Sequence, residues 1–230
     1  VGNRALRRLL MADLLMGLQG GINGSVHFFF VINVLALPNA ASLYLVMIFV
    51  TGLICVPLFV ALSKRFGKHR TLCFGALQSS LATASLFVVP AGSFWWVFLI
   101  FVLIGVNIGA KDFLMRSMMA DVIDQDRVEV GAERSALYYS MLTLTAKVGA
   151  ALAVGIIFPV LDWVGFDPGG LNDEATLNGV RIVVAMSPTL VTLAVAAIMW
   201  HFPIGRAEQE TLRAQLAERT AVRRPESRVN

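Results

Sequence analysis

Between Asn107 and Gly149 the sequence sets ionisable side chains into stretches that are otherwise apolar. Lys111, Asp112 and Arg116 stand in one such stretch. The run Ala120-Asp121-Val122-Ile123-Asp124-Gln125-Asp126 reads as an acidic turn behind it, and a second apolar helix follows with Lys147 about halfway along. At about 1.5 Å per residue, Lys147 falls roughly 17 Å from a helix start near Ala136, close to the midplane of a hydrocarbon core about 30 Å thick. An ammonium stranded there costs from about 3 to more than 10 kcal/mol, so it is expected to face a wet cavity or a partner and to mark a transport pathway. Ser140, Thr143 and Lys147 share a helix face with Tyr139 at its edge, and hydroxyls beside a cation suit a polyol better than they suit lipid. The competing reading is local: Asp112 and Arg116 have the spacing and order of an ion pair, Lys111 can reach back to Asn107, and long cations snorkel toward the nearby surface.

The elements that hold these groups must lie in a membrane. Of 230 residues, 57% are hydrophobic and only 15% charged, with a mean hydropathy of +0.73, outside the range of soluble domains. Six apolar segments, at residues 9–32, 41–62, 72–90, 94–119, 136–160 and 179–201, are each long enough to span a bilayer as a helix. The expected fold is an all-α membrane protein, a six-transmembrane-helix bundle over residues 1–205 with a polar, partly helical tail over 206–230 that frays from Pro225. Basic residues cluster before the first span, after the second and after the last, while the other connections nearly lack them, so both termini are expected in the cytoplasm. Trp95, Trp96, Trp163 and Trp200 fall at the expected interfaces. The net charge of +4 therefore reports topology and gives no reason to expect nucleic acid. Cys55 and Cys73 read as packed thiols without metal-ligand spacing. No signal peptide pattern precedes the first span, and a chain beginning at Val1 reads as a fragment or as an unusual start.

Smaller features carry their own expectations. Gly17, Gly20, Gly21 and Gly24 allow close helix approach in the first span. Gln19, Asn23 and His27 recur every four residues on one face, for interhelical hydrogen bonding or for lining a cavity. His27 is expected near the outer interface as a solvated imidazole, and Asp13 shallow on the cytoplasmic side, paired with Arg8 or water. The basic turn Ser63 to Arg70 holds Gly67, suited to a positive φ. The hydroxyls and amide of the third span, Gln78 to Ser85, read as packing glue. Pro159 is expected to end the fifth helix and Pro188 to kink the sixth.

The run Ala120 to Asp124, the turn Arg65-Phe66-Gly67-Lys68-His69-Arg70 and the later Thr143-Leu144-Thr145-Ala146-Lys147-Val148-Gly149 together resemble the glycoside-pentoside-hexuronide:cation symporter family, melibiose permease-like members of the major facilitator superfamily. The resemblance covers nearly the whole chain but only the C-terminal half of a typical member, spans seven to twelve. It implies secondary transport of a sugar or glycoside coupled to sodium or protons, in a bacterial cytoplasmic (inner) membrane, with an N-terminal six-helix half as partner. It implies that Lys147 is the lysine of span eleven beside the sugar and cation sites, and that Asp112 replaces an aromatic lining the sugar pocket. Asp121 and Asp124 would belong to a cytoplasmic gate, with Asp126 and the basic Arg65, Lys68 and Arg70 as its remaining charges. Gln125, Arg127 and Glu133-Arg134-Ser135 depart from the family pattern. The substrate and cation pathway expected from residues and resemblance together is Lys147, Asp112, Thr143, Ser140, Tyr139, Asn23, Gln19 and Lys111, with no cofactor beyond the coupling cation. The rival reading is a non-transporting membrane scaffold that binds a partner. A membrane enzyme finds no zinc, nucleophile-elbow or paired-carboxylate pattern here.

Overall fold

The computed structural model describes residues 3–131 and 133–223; the expected fraying beyond Pro225 lies outside them. Among the described residues every regular element is helical. Helix α1 (Arg4–Phe29) continues through a π turn, Phe30–Val34, and a short link with a 3-10 turn, Pro38–Ala40, leads into α2 (Ala41–Phe66). There follow α3 (Lys68–Ser85), α4 (Phe94–Val130), α5 (Ser135–Trp163), α6 (Glu174–Trp200) and α7 (Arg206–Arg223). Five stretches, Arg4–Val34, Pro38–Phe66, α4, α5 and α6, are long and apolar enough to cross a membrane. Helix α3 is shorter, at 18 residues, and buries its polar side chains against α4 and α6. Gln78 Nε2 donates to the Leu103 carbonyl at 2.9 Å, and Ser80 and Thr189 exchange hydroxyl-to-carbonyl bonds across the α3–α6 seam.

Two boundaries differ from expectation. The acidic run is not a turn: α4 continues as helix through Asp121, Asp124 and Asp126 and stops only where Gly131, at φ 76°, takes the left-handed cap and donates to the Arg127 carbonyl. Nothing before that glycine breaks a helix, and only glycine adopts the cap without strain. Nor does Pro159 end α5, which runs on to Trp163. The carbonyl it leaves without a donor is that of Gly155, around which a side chain would find open space, so the ring is accommodated without a break. Pro188 lies buried within α6, flanked by Ser187 and Thr189 hydroxyls that donate to the Val183 and Ala185 carbonyls. Gly67 joins α2 to α3 at φ 90°, the conformation its position suggested.

Helix pairing follows an internal repeat. The most extensive packing is α1 on α5, α2 on α4 and α3 on α6, with α3 on α4 and α1 on α6 next. Exchanging α1 with α4, α2 with α5 and α3 with α6 maps this set onto itself, the pattern of two three-helix repeats. The close-packing residues obey the same exchange. Gly17 and Gly21 of α1 press on Gly149, Ala150 and Ala153 of α5, and Gly105 and Gly109 of α4 press on Gly52 of α2. A Cβ on Gly109 would lie 2.6 Å from the Gly52 carbonyl oxygen. One glycine pair spaced by four, facing a single glycine, thus builds each seam.

The buried side chains divide into two apolar cores. One joins Ile22, Phe30, Ile48, Ala82, Ile104, Ala153 and Val184. The other joins Ala12, Phe59, Cys73, Leu114, Leu142 and Val195. Between them each helix carries glycine or polar groups: Gly17 and Gln19, Gly52, Ser79 and Ser80, Lys111 and Asp112, Thr145 and Lys147, Thr189 and Thr192. That belt is where the bundle holds its site.

Candidate functional site

Two clefts open in the belt, and the internal repeat relates them. The first, about 170 Å³, lies mainly between α1, α2, α3 and α4. Gln19, Asn23, His27, Ser79, Thr83, Asn107 and Lys111 supply its polar groups, and Leu45, Ile48, Phe101 and Ile104 its apolar walls. The spacing that put Gln19, Asn23 and His27 on one face therefore places all three against this cavity. His27 is not the solvated imidazole expected: it is buried, its Nε2 lies 3.0 Å from the Ala41 carbonyl, and it meets Phe28 and Phe101 edge-on. The link after α1 folds the start of α2 over it. Lys111 leans toward α1, its Nζ 3.6 Å from where a side chain on Gly20 would begin.

The second cleft, about 200 Å³, lies between α1, α4 and α5 and is lined by Asp13, Asp112, Met115, Arg116, Leu142, Thr143, Ala146 and Lys147. Consecutive residues on a helix diverge by about 100°, so Lys111 and Asp112 enter different clefts. Among the described residues Asp112 and Arg116 share the second cleft without closing an ion pair, and Lys111 makes no bond back to Asn107. Lys147, Thr143 and Ser140 are exposed on α5, the Thr143 hydroxyl donating to the Tyr139 carbonyl and that of Ser140 to the Leu137 carbonyl. Tyr139 reaches across to the Arg116 carbonyl at 3.5 Å. The eight pathway residues thus separate: Gln19, Asn23 and Lys111 face the first cleft, Asp112, Thr143 and Lys147 the second, with Tyr139 and Ser140 one turn further along α5.

Asp13 is the residue that spacing alone did not single out. It is buried and not paired with Arg8, which donates to the His201 carbonyl. Instead the Thr145 hydroxyl donates to Asp13 Oδ2 at 2.7 Å across the α1–α5 seam. A signal was present: Asp13 precedes the seam glycine Gly17 by four residues, and Thr145 precedes Gly149 by four, so each lies one turn along the face that the other helix covers.

At the end of the bundle that holds the α2–α3 link and α7 the expected gate charges also separate. Lys68 Nζ bonds both carboxylate oxygens of Asp121, at 2.8 and 2.6 Å, and the Ser117 carbonyl at 3.0 Å. Gln209 of α7 donates to the same carboxylate at 2.7 Å, and Arg206 donates to the Lys64 carbonyl. Asp121, buried, is thus clasped by α3 and α7 together. Asp126 is buried and faces Tyr138 in a cleft of about 1020 Å³ at the same end, while Asp124 is half-exposed. Arg65 stacks on Phe66 and Arg70 is exposed, and among the described residues neither forms an ion pair with an acid of the run. Burial and the neighbouring Arg70 hold the His69 imidazole below its usual range, with Glu208 of α7 pulling the other way. The tail helix was legible as a helix former; that it docks on Asp121 was not, because the docking atom is one neutral amide.

Residues 1–206 match the family model described as MFS/sugar transport protein. The chain belongs to this family. It is 27% identical over 94% of its length to an uncharacterized symporter of Synechocystis, covering 41% of that protein. It is 24% identical over 88% of its length to a glucuronide carrier protein homolog of Escherichia coli, covering 44%. To the raffinose carrier protein of Pediococcus pentosaceus it is 23% identical over 74% of its length, covering 26%. The chain thus spans less than half the length of these relatives. Membership makes it an integral membrane protein of a transporter family, as the apolar helices require.

Proposed function

We propose that this chain forms the C-terminal half, spans seven to twelve, of a secondary carrier that moves a sugar or glycoside together with a cation. The observation that carries the reading is the second cleft. Lys147, Arg116 and Asp112 stand at membrane depth on α4 and α5 without closing ion pairs among the described residues. Charged groups in that position persist when they face water or a solute and not lipid. The first cleft complements it with amides, hydroxyls and Lys111, groups that hydrogen-bond a polyol, against walls that take the apolar face of a sugar ring. Asn107 adds a buried carbonyl oxygen with no hydrogen-bond partner among the described residues.

On this reading α3 crosses as the sixth span, its polar groups shielded by α4 and α6, and both termini lie in the cytoplasm of a bacterial inner membrane. A six-helix N-terminal half covers the face that bears Ser140, Thr143 and Lys147. The two halves rock about the belt to expose it alternately to each side. The Lys68–Asp121–Gln209 clasp fixes the cytoplasmic ends of α3, α4 and α7 as one piece, so the half moves as a body. Lys147 couples cation to solute.

The test replaces Lys147 with Met in a polypeptide that supplies both halves, reconstituted in vesicles. Gradient-driven accumulation of raffinose or methyl glucuronide is expected to fall to the level of empty vesicles. Full accumulation would demote Lys147 to a structural lysine. Absence of solute movement in the unsubstituted protein would favour a scaffold that only binds a partner.

A further inference from the structure

Asp13 lines the second cleft with no role assigned above, and it is a buried carboxylate, 8% exposed. From the transport reading we infer that Asp13 is a proton-exchanging carboxylate of this half, that Thr145 is its hydrogen-bond relay, and that the coupled cation is a proton.

Register comes first. Helices α1 and α5 run side by side in the same direction, Gly17 against Ala146 and Gly149, Gly21 against Ala150 and Ala153. Asp13 therefore stands abreast of Thr145, two residues from Lys147, at the depth of the second cleft, which it also lines. Its bonding comes next. The Thr145 hydroxyl has a single proton and three acceptors in reach: Asp13 Oδ2 at 2.7 Å, the Leu142 carbonyl at 3.0 Å and the Met141 carbonyl at 3.1 Å. With Asp13 ionised, Thr145 gives its proton to the carboxylate. With Asp13 protonated, the acid O–H donates to Thr145 Oγ1, and Thr145 turns its own proton to a carbonyl of its helix. Both states are satisfied without moving a heavy atom. A buried acid meant only to pack would need one of them; a site that must gain and lose a proton needs both. The step balances simply: one proton from water in the cleft joins the carboxylate, and the same proton leaves when the cleft meets the other side.

The charged surroundings explain why closure should drive the exchange. Lys111, Asp112 and Arg116 on α4 and Lys147 on α5 are the ionisable groups nearest Asp13. Helix α6, on the far side of α1, carries Glu174 and Arg181 as its titratable residues, both toward its other end. While the cleft is wet, these charges are screened. When the halves close and expel water, that screening and the solvation of the Asp13 carboxylate are lost together, with one acid and three cations left around it. Proton uptake at Asp13 on closure offsets that loss of solvation, which ties occupancy by the proton to the closed state.

Infrared difference spectra of this chain in lipid nanodiscs, taken across a pH titration, read the carboxyl directly. A buried carboxylic C=O band is expected to titrate, to vanish in Asp13→Asn, and to remain in Asp112→Asn and Thr145→Ser. Its persistence in Asp13→Asn would overturn the assignment. The second arm uses a polypeptide with both halves in vesicles, with raffinose and methyl glucuronide as probes. Asp13→Asn should lower pH-driven accumulation by about tenfold or more, the scale of ordinary coupling energies, while exchange without a gradient continues. Unchanged pH-driven accumulation, or accumulation driven only by a sodium gradient, would overturn it. If the unsubstituted protein moves neither probe, the transport reading fails on its own, and the infrared band still decides Asp13.

Discussion

The α1–α5 and α2–α4 seams are built alike and equipped differently. Each sets a pair of glycines spaced by four against one glycine of the facing helix. Yet the α1–α5 seam is flanked by Asp13, Thr145 and Lys147, whereas the α2–α4 seam is flanked by Ile48, Thr51, Val56 and Ile108. Aligning Gly149 with Gly52 makes Val50 of α2 the repeat equivalent of Lys147 of α5, and Val46 that of Thr143. Packing, then, is common to both seams, while a buried carboxylate and an exposed lysine flank the α1–α5 seam. Backbone contact needs only the absence of a side chain, so it survives duplication. A charge at membrane depth is costly, and it stays where water or a solute meets it.

The strongest way to break this comparison is at the glycines. Gly149→Ala would drive a methyl into the Leu14 carbonyl, and Gly109→Ala one into the Gly52 carbonyl. Backbone cannot give as a flexible side chain can, so each is expected to cost about 3 kcal/mol or more, measured by unfolding in mixed micelles. Gly155→Ala, with open space around it, should instead gain up to about 1 kcal/mol from helix propensity. Tolerance of alanine at one seam but not the other would end the claim that they are equivalent.

A smaller effect separates charges that hold the fold from charges that serve the cleft. Lys68→Ala removes the ammonium that bonds both oxygens of the buried Asp121 and is expected to cost about 3 kcal/mol. Lys147→Ala, at an exposed position without an ion pair among the described residues, should change stability by less than about 1 kcal/mol. Equal losses in the same unfolding assay would make Lys147 structural.

Much of this was legible in the residues. Apolar length gave the helices, and charge runs gave the connections. The Lys147 stripe, the Gln19–Asn23–His27 face and the likeness to the symporter family pointed to the belt. What periodicity could not supply was which helix faces which. Lys111 and Asp112 are adjacent in the chain and enter different clefts because one helix turns between two neighbours. Asp13 looked shallow when counted from the start of its own span, and only the register against α5 sets it beside Thr145. The acidic run looked like a turn because aspartates favour turns, but no glycine or proline interrupts it before Gly131.

The account rests on the cleft between α1, α4 and α5 being wet at membrane depth. The most direct test is labelling by a membrane-impermeant thiol reagent in a protein in which Cys55 and Cys73 are replaced by alanine. A cysteine at Thr143 should react readily, and one at the repeat-equivalent Val46 should stay unlabelled. Protection of the Thr143 position, or equal labelling of both, would contradict the account.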